Sequence, residues 1–96
     1  MYEVRSTVEF IDWLDALRDV QARARIIKRI DRIAQGNFGD AKPVGDGVAE
    51  LRFTFGPGYR VYYVRREEVV VILLCGGDKG SQEKDIERAK AIAKEV

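Results

Sequence analysis

The sequence predicts an α+β domain in the order β-α-α-β-β-β-α, with its helices packed on one face of a small, mainly antiparallel sheet. Three observations predict it. Apolar residues recur at helical spacing near both ends of the chain, the period switches to two at Gly47, and the run Val69 to Cys75 is apolar on both faces. At 96 residues, 46% of them hydrophobic and 34% charged, residues 1–96 form a single domain able to bury one core.

Tyr2 to Arg5 reads as a short opening strand. Ser6-Thr7-Val8-Glu9 fits a capping box, in which the Ser6 oxygen and the Glu9 carboxylate satisfy free amides at a helix start. Phe10, Trp13, Leu14 and Leu17 follow at i, i+3, i+4, i+7 as one core-facing stripe. A second helix is predicted from about Asp19 to Gln35, with Ile26, Ile27, Ile30 and Ile33 inward and Gly36 as its stop. Gly36 to Gly47 reads as one surface loop.

From Gly47, Ala49, Leu51, Phe53 and Phe55 alternate with Val48, Glu50, Arg52 and Thr54, the pattern of a strand with a polar face. Gly56-Pro57-Gly58 turns the chain into a second strand, Tyr59 to Val64, and Arg65 to Glu68 turn it again into the core strand Val69 to Cys75. Gly76 to Gly80 reads as a flexible loop at a strand end, a place anions favour, although its glycine spacing is not that of a P-loop. Ser81 is placed to cap a last helix whose apolar side is Ile86, Ala89, Ile92, Ala93 and Val96.

The inventory excludes much chemistry. With no histidine and one cysteine, Cys75, there is no material for a zinc finger, a Ser/His/Asp triad or a disulfide framework. Neither a signal core nor a membrane-length apolar run is present, so a cytoplasmic protein is expected. The net charge of +1 conceals two basic segments, residues 18–32 and 48–66.

In the first of these, Arg25, Lys28, Arg29 and Arg32 fall at i, i+3, i+4, i+7 opposite the isoleucines, forming a ridge suited either to a phosphate backbone or simply to solvent. In the second, a register centred on the Gly-Pro-Gly turn sets Arg52 and Arg60 side by side with Glu50 and Tyr62. Two adjacent guanidiniums call for an anion such as phosphate, or for neutralisation by Glu50. Lys79 adds a cation from the Gly76 to Gly80 loop; Cys75 and Trp13 read as core.

Three runs, Lys42-Pro43-Val44-Gly45-Asp46-Gly47-Val48-Ala49-Glu50-Leu51-Arg52, Gly56-Pro57-Gly58-Tyr59-Arg60-Val61-Tyr62-Tyr63 and Leu73 to Gln82, together resemble the RelE/ParE toxin superfamily, and within it the HigB-like addiction-module killer branch. The resemblance implies a toxin held inactive by an antitoxin, typically encoded beside it and carrying a helix-turn-helix domain. It also implies ribosome-dependent cleavage of mRNA, in which the ribose 2′-hydroxyl attacks the neighbouring phosphate, without metal or cofactor. Arg60 matches the family's strand arginine as the charge stabiliser, Arg52 would position the phosphate, and Lys79 matches a basic loop position. Glu50 is the expected base by its ordinary pKa, with Tyr62 beside it; arginine cannot serve. Val48 and Glu50 stand where RelE carries strand lysines, and Ile86 falls near its helix tyrosine. RNA or ribosome contact is expected at Arg25, Lys28, Arg29, Arg32 and Lys42. A ParE-like gyrase inhibitor and an inactive antitoxin-binding module are the alternative readings.

Overall fold

The computed structural model describes all of residues 1–96. The elements are β1 (Glu3–Ser6), α1 (Val8–Ala16), α2 (Val20–Ala34), β2 (Ala41–Gly45), β3 (Val48–Arg52), β4 (Tyr59–Arg66), β5 (Val70–Asp78), a short 3₁₀ turn (Lys79–Ser81) and α3 (Gln82–Ala93). The strands form one sheet in the order β1-β5-β4-β3-β2, antiparallel except where β1 runs parallel to β5.

The α+β class and the mainly antiparallel sheet agree with the sequence reading, but the helices do not share one face. Phe10 of α1 and Ile26 and Ile33 of α2 pack on Leu51, Val61, Tyr63, Val71 and Leu73. Ala89, Ile92 and Ala93 of α3 pack on the alternate residues Val48, Tyr62, Val64, Leu74 and Cys75. Because side chains alternate across a strand, these are opposite faces. The expected polar face of β3 and β4 is therefore a second core, and Glu50 lies inside it at 2% exposure.

Other corrections have local causes. The loop expected over Gly36 to Gly47 contains β2, because Ala41, Lys42 and Pro43 pair with Leu51, Glu50 and Ala49, leaving Pro43 on the sheet edge. The first helix is capped by Thr7, whose hydroxyl oxygen accepts from the Phe10 amide at 3.0 Å, while Ser6 is the last residue of β1. Ile27 turns outward, and α2 buries only Ala22, Ile26 and Ile33. The β3 pairing stops at Arg52, short of Phe55. Gly76 and Gly77 belong to β5, not to a flexible loop. Their lack of a side chain admits neighbours: a Cβ on Gly76 would lie 2.3 Å from the Trp13 indole, and one on Gly77 would lie 1.8 Å from the Asp85 carboxylate. Ser81 makes no capping hydrogen bond to α3; its hydroxyl donates to Asp85, and Asp78 caps the preceding turn. No helix is long and apolar enough to cross a membrane.

Candidate active site

β3 and β4 align Arg52 directly opposite Arg60 and Glu50 directly opposite Tyr62; of the opposite and diagonal placements that the turn-centred register allows the two arginines, the first is found. A hairpin places such opposed side chains on the same face, and the N-terminal end of α3 closes over that face. The turn at Gly58 brings in the remaining cation. Its φ of +80° suits glycine, and a Cβ there would meet Lys79 Cβ at 3.3 Å and Arg60 Nη1 at 3.6 Å.

The five residues are held differently. Arg60 is buried, and its Nη1 donates to the carbonyls of Phe53 at 3.2 Å, Gly58 at 3.0 Å and Tyr59 at 3.0 Å. Its Nε has no partner. Arg60 thus braces the turn while keeping unsatisfied donor capacity. Arg52 is half-exposed, with Nε 3.9 Å from an Asp40 carboxylate oxygen, so the two guanidiniums take separate partners. Glu50 forms no ion pair with either arginine; its oxygens accept from Gln82 Nε2 at 3.1 and 2.9 Å. Tyr62 is fully buried and its hydroxyl has no partner. Burial, and then the nearby Glu50 charge, push its pKa well above the ordinary tyrosine value, so it keeps its proton and can act as a hydrogen-bond donor but not as a base. Lys79 is exposed. No cluster of His, Cys, Asp and Glu is placed to hold a metal ion.

The basic ridge divides as well. Arg25, Lys28, Arg29 and Arg32 line a groove of about 430 Å³ with Asp40, Arg52 and the segment Phe53 to Phe55. Arg29 is spent on structure. It donates to the carbonyls of Arg52 at 2.7 Å and Asp40 at 2.8 Å, and its guanidinium carbon lies 4.7 Å from the centre of the Phe53 ring. Burial lowers its pKa. Lys42 lies apart from this groove, in a separate depression lined by Phe38, Ala41 and Tyr63.

Sequence reasoning missed Gln82 as the partner of Glu50 and Phe55 as part of the groove. Gln82 reads as a helix-start residue, and its carboxylate partner is 32 positions away. Phe55 reads as core by alternation, a period that fails once the strand has ended at Arg52.

The family model described as Phage derived protein Gp49-like matches residues 12–96. The chain belongs to that family. A curated protein of Haemophilus influenzae, itself described only as uncharacterized, is 50% identical over 94 residues, 98% of this chain and 95% of the relative. Among solved structures, a mutant of E. coli toxin RelE in the free state aligns with a TM-score of 0.72 at 20% identity, covering 95% of this chain and 97% of that one. The intact E. coli RelBE toxin-antitoxin complex aligns with a TM-score of 0.68 at 18% identity, covering 81% and 96%. The Gp49-like chain thus has the RelE fold, in line with the superfamily that its motifs resemble.

Proposed function

We propose that this protein is the toxin of a toxin-antitoxin pair and that it cleaves mRNA on the ribosome by 2′-hydroxyl attack. The supporting observation is the cationic pole formed by the Arg52–Arg60 cross-strand pair with Lys79 beside Gly58, adjoining a carboxylate and a phenol. Arg60 and Arg52 stabilise the charge of the pentavalent phosphorane, through donors fixed in place before the reaction. Glu50 takes the 2′ proton once Gln82 frees its carboxylate, and as the bond from phosphorus to the 5′ oxygen breaks Lys79 gives that oxygen its proton. The products are a 2′,3′-cyclic phosphate and a free 5′-hydroxyl. Tyr62 serves as a hydrogen-bond donor. The resemblance to the RelBE complex supports an antitoxin as partner, and the exposed ridge residues Arg25, Lys28 and Arg32, with Lys42, supply RNA or ribosome contact.

The test is induction of the chain without its partner, with primer extension on cellular mRNA. New 5′ ends are expected, and Arg52→Ala should lower cleavage about 10²–10³-fold, as for loss of one fixed donor. Arg60→Ala also removes a turn brace, so Arg52, which is half-exposed, is the cleaner variant. Intact mRNA in arrested cells would overturn the nuclease reading.

A second reading, a toxin that inhibits gyrase through protein contacts or a module that only binds antitoxin, is favoured by one observation. Glu50, Tyr62 and Arg60 are all buried in the chain on its own. Inhibition of supercoiling with mRNA intact selects the gyrase reading, and harmless expression with normal antitoxin binding selects the module.

A further inference from the structure

The groove beside α2 holds aromatic rings among its cations, and a ridge that only tracks phosphates has no need of them. Arg25 carries its guanidinium carbon 4.9 Å from the centre of the Phe55 ring, is exposed, and makes no ion pair or side-chain hydrogen bond. Phe55 is stiffened from behind, with its ring centre 5.7 Å from Phe53 and 5.8 Å from Tyr59. A guanidinium backed by a fixed ring presents its outer surface as a flat, cationic platform, which suits a nucleobase. Lys28 and Arg32 stand around it as unpaired cations, and Arg52 adds a third, its Nε 3.9 Å from Asp40, the one carboxylate in the groove.

We propose that this groove holds an unpaired ribonucleotide, its base stacked on Arg25 and its flanking phosphates on Lys28, Arg32 and Arg52. The volume of about 430 Å³ falls within the roughly 300–1,000 Å³ of small-ligand clefts. A duplex offers no free base face to the platform, so the site selects single strands. Arg52 both lines this groove and is the register partner of Arg60, so the groove and the cationic pole share that residue. The inference rests on the proposed action on RNA and deepens it.

The test is fluorescence anisotropy of the full chain with a 2′-O-methylated oligonucleotide, which cannot be cut by 2′-hydroxyl attack. The single strand is expected to bind more tightly than the same sequence as a duplex. Arg25→Lys keeps the charge and loses the platform, so affinity should fall about 5- to 100-fold. Binding should weaken with salt at a log–log slope of about −2, the value for roughly three neutralised phosphates of a single strand. Lys28→Ala with Arg32→Ala should flatten that slope. Equal binding of duplex and single strand, an unchanged Arg25→Lys protein, or binding confined to acidic polypeptides would each overturn the site.

Ribosomes with and without a bound message identify the source of the strand. Loss on both with Arg25→Lys points to ribosomal RNA, loss only on programmed ribosomes points to the message, and loss on neither overturns the proposal. The outcome is separable from the nuclease reading, because cleavage that persists unchanged in Arg25→Lys sinks the groove alone, whereas groove binding without cleavage sinks the nuclease alone.

Discussion

Gln82, the first residue of α3, donates its amide to both carboxylate oxygens of Glu50 in the middle of β3. A buried carboxylate held by a neutral amide has no counter-ion to compensate its desolvation, so the contact matters most when it is lost. Gln82→Ala is expected to lower unfolding free energy by about 1–3 kcal/mol, the usual cost of leaving a buried acceptor unpaired. Urea titration with an unchanged m-value checks this; an unaltered midpoint would mean that α3 is not anchored there.

Tyr62 offers the reverse case. Its hydroxyl is buried without a partner, so Tyr62→Phe removes a desolvated group at almost no cost in packing. The variant is expected to be as stable as the parent or more so, by about 1 kcal/mol. If Tyr62 donates a hydrogen bond to RNA during cleavage, activity falls while stability does not. A clear loss of thermal stability would show that the hydroxyl is satisfied in solution.

Much of this is legible in the sequence, and the gaps have two causes, one local and one long-range. The Arg52–Arg60 opposition follows from one turn, because a Gly-Pro-Gly centre fixes register on both arms. The caps at Thr7 and Ser81 were misplaced by one residue or assigned to the wrong partner, since serine, threonine and aspartate all suit such positions. The two-sided sheet was missed for another reason. Val48, Glu50 and Arg52 alternate like an exposed edge, and only contacts with α3, far along the chain, bury the first two of them. Long-range burial of a glutamate leaves no local trace. The resemblance to known toxins reached the fold but could not say which ridge arginine is structural.

Trp13 and Gly76 make a contact that only a glycine permits. A Cβ at Gly76 would sit 2.3 Å from the indole, which is rigid and itself packed against Phe10 and Tyr59. Gly76→Ala is expected to destabilise by about 1–3 kcal/mol through overpacking. In a Trp13→Ala background the same change should cost much less. A double-mutant cycle measures the difference; additive costs would mean that the clash lies elsewhere.

Alkaline pH should weaken the fold through Cys75. Burial, and then the Asp85 charge, raise its pKa from the ordinary 9.0 to about 12. The folded thiol holds its proton where the unfolded one has released it. This contribution is complete below about pH 9 and is lost as pH rises from 9 to about 12. Tyr62, also raised, acts in the same direction above its ordinary value of 10.0. Each proton adds a slope of up to about 1.4 kcal/mol per pH unit. Cys75→Ala should therefore show a shallower decline between pH 9 and 10 than the parent. Identical slopes would place the thiol in contact with solvent.

The basic ridge of α2 is one stripe in sequence and two classes of residue in space, which mutation can separate. Arg29 reaches the carbonyls of Arg52 and Asp40 with a forked guanidinium and lies over Phe53. Lysine keeps the charge but cannot hold two carbonyls in one plane. Arg29→Lys is expected to cost about 1–2 kcal/mol of stability, because it leaves polar groups short of a donor at the start of β2. Lys28 and Arg32 are exposed and face the groove. Lys28→Ala and Arg32→Ala should each stay within about 0.5 kcal/mol of the parent, yet weaken RNA binding in a salt-dependent way. Thermal melts run beside anisotropy titrations distinguish the classes. Stability loss at Arg32 or unchanged melting at Arg29→Lys would reverse the assignment, since one guanidinium cannot both tie the β2 entry to α2 and swing free to meet a phosphate.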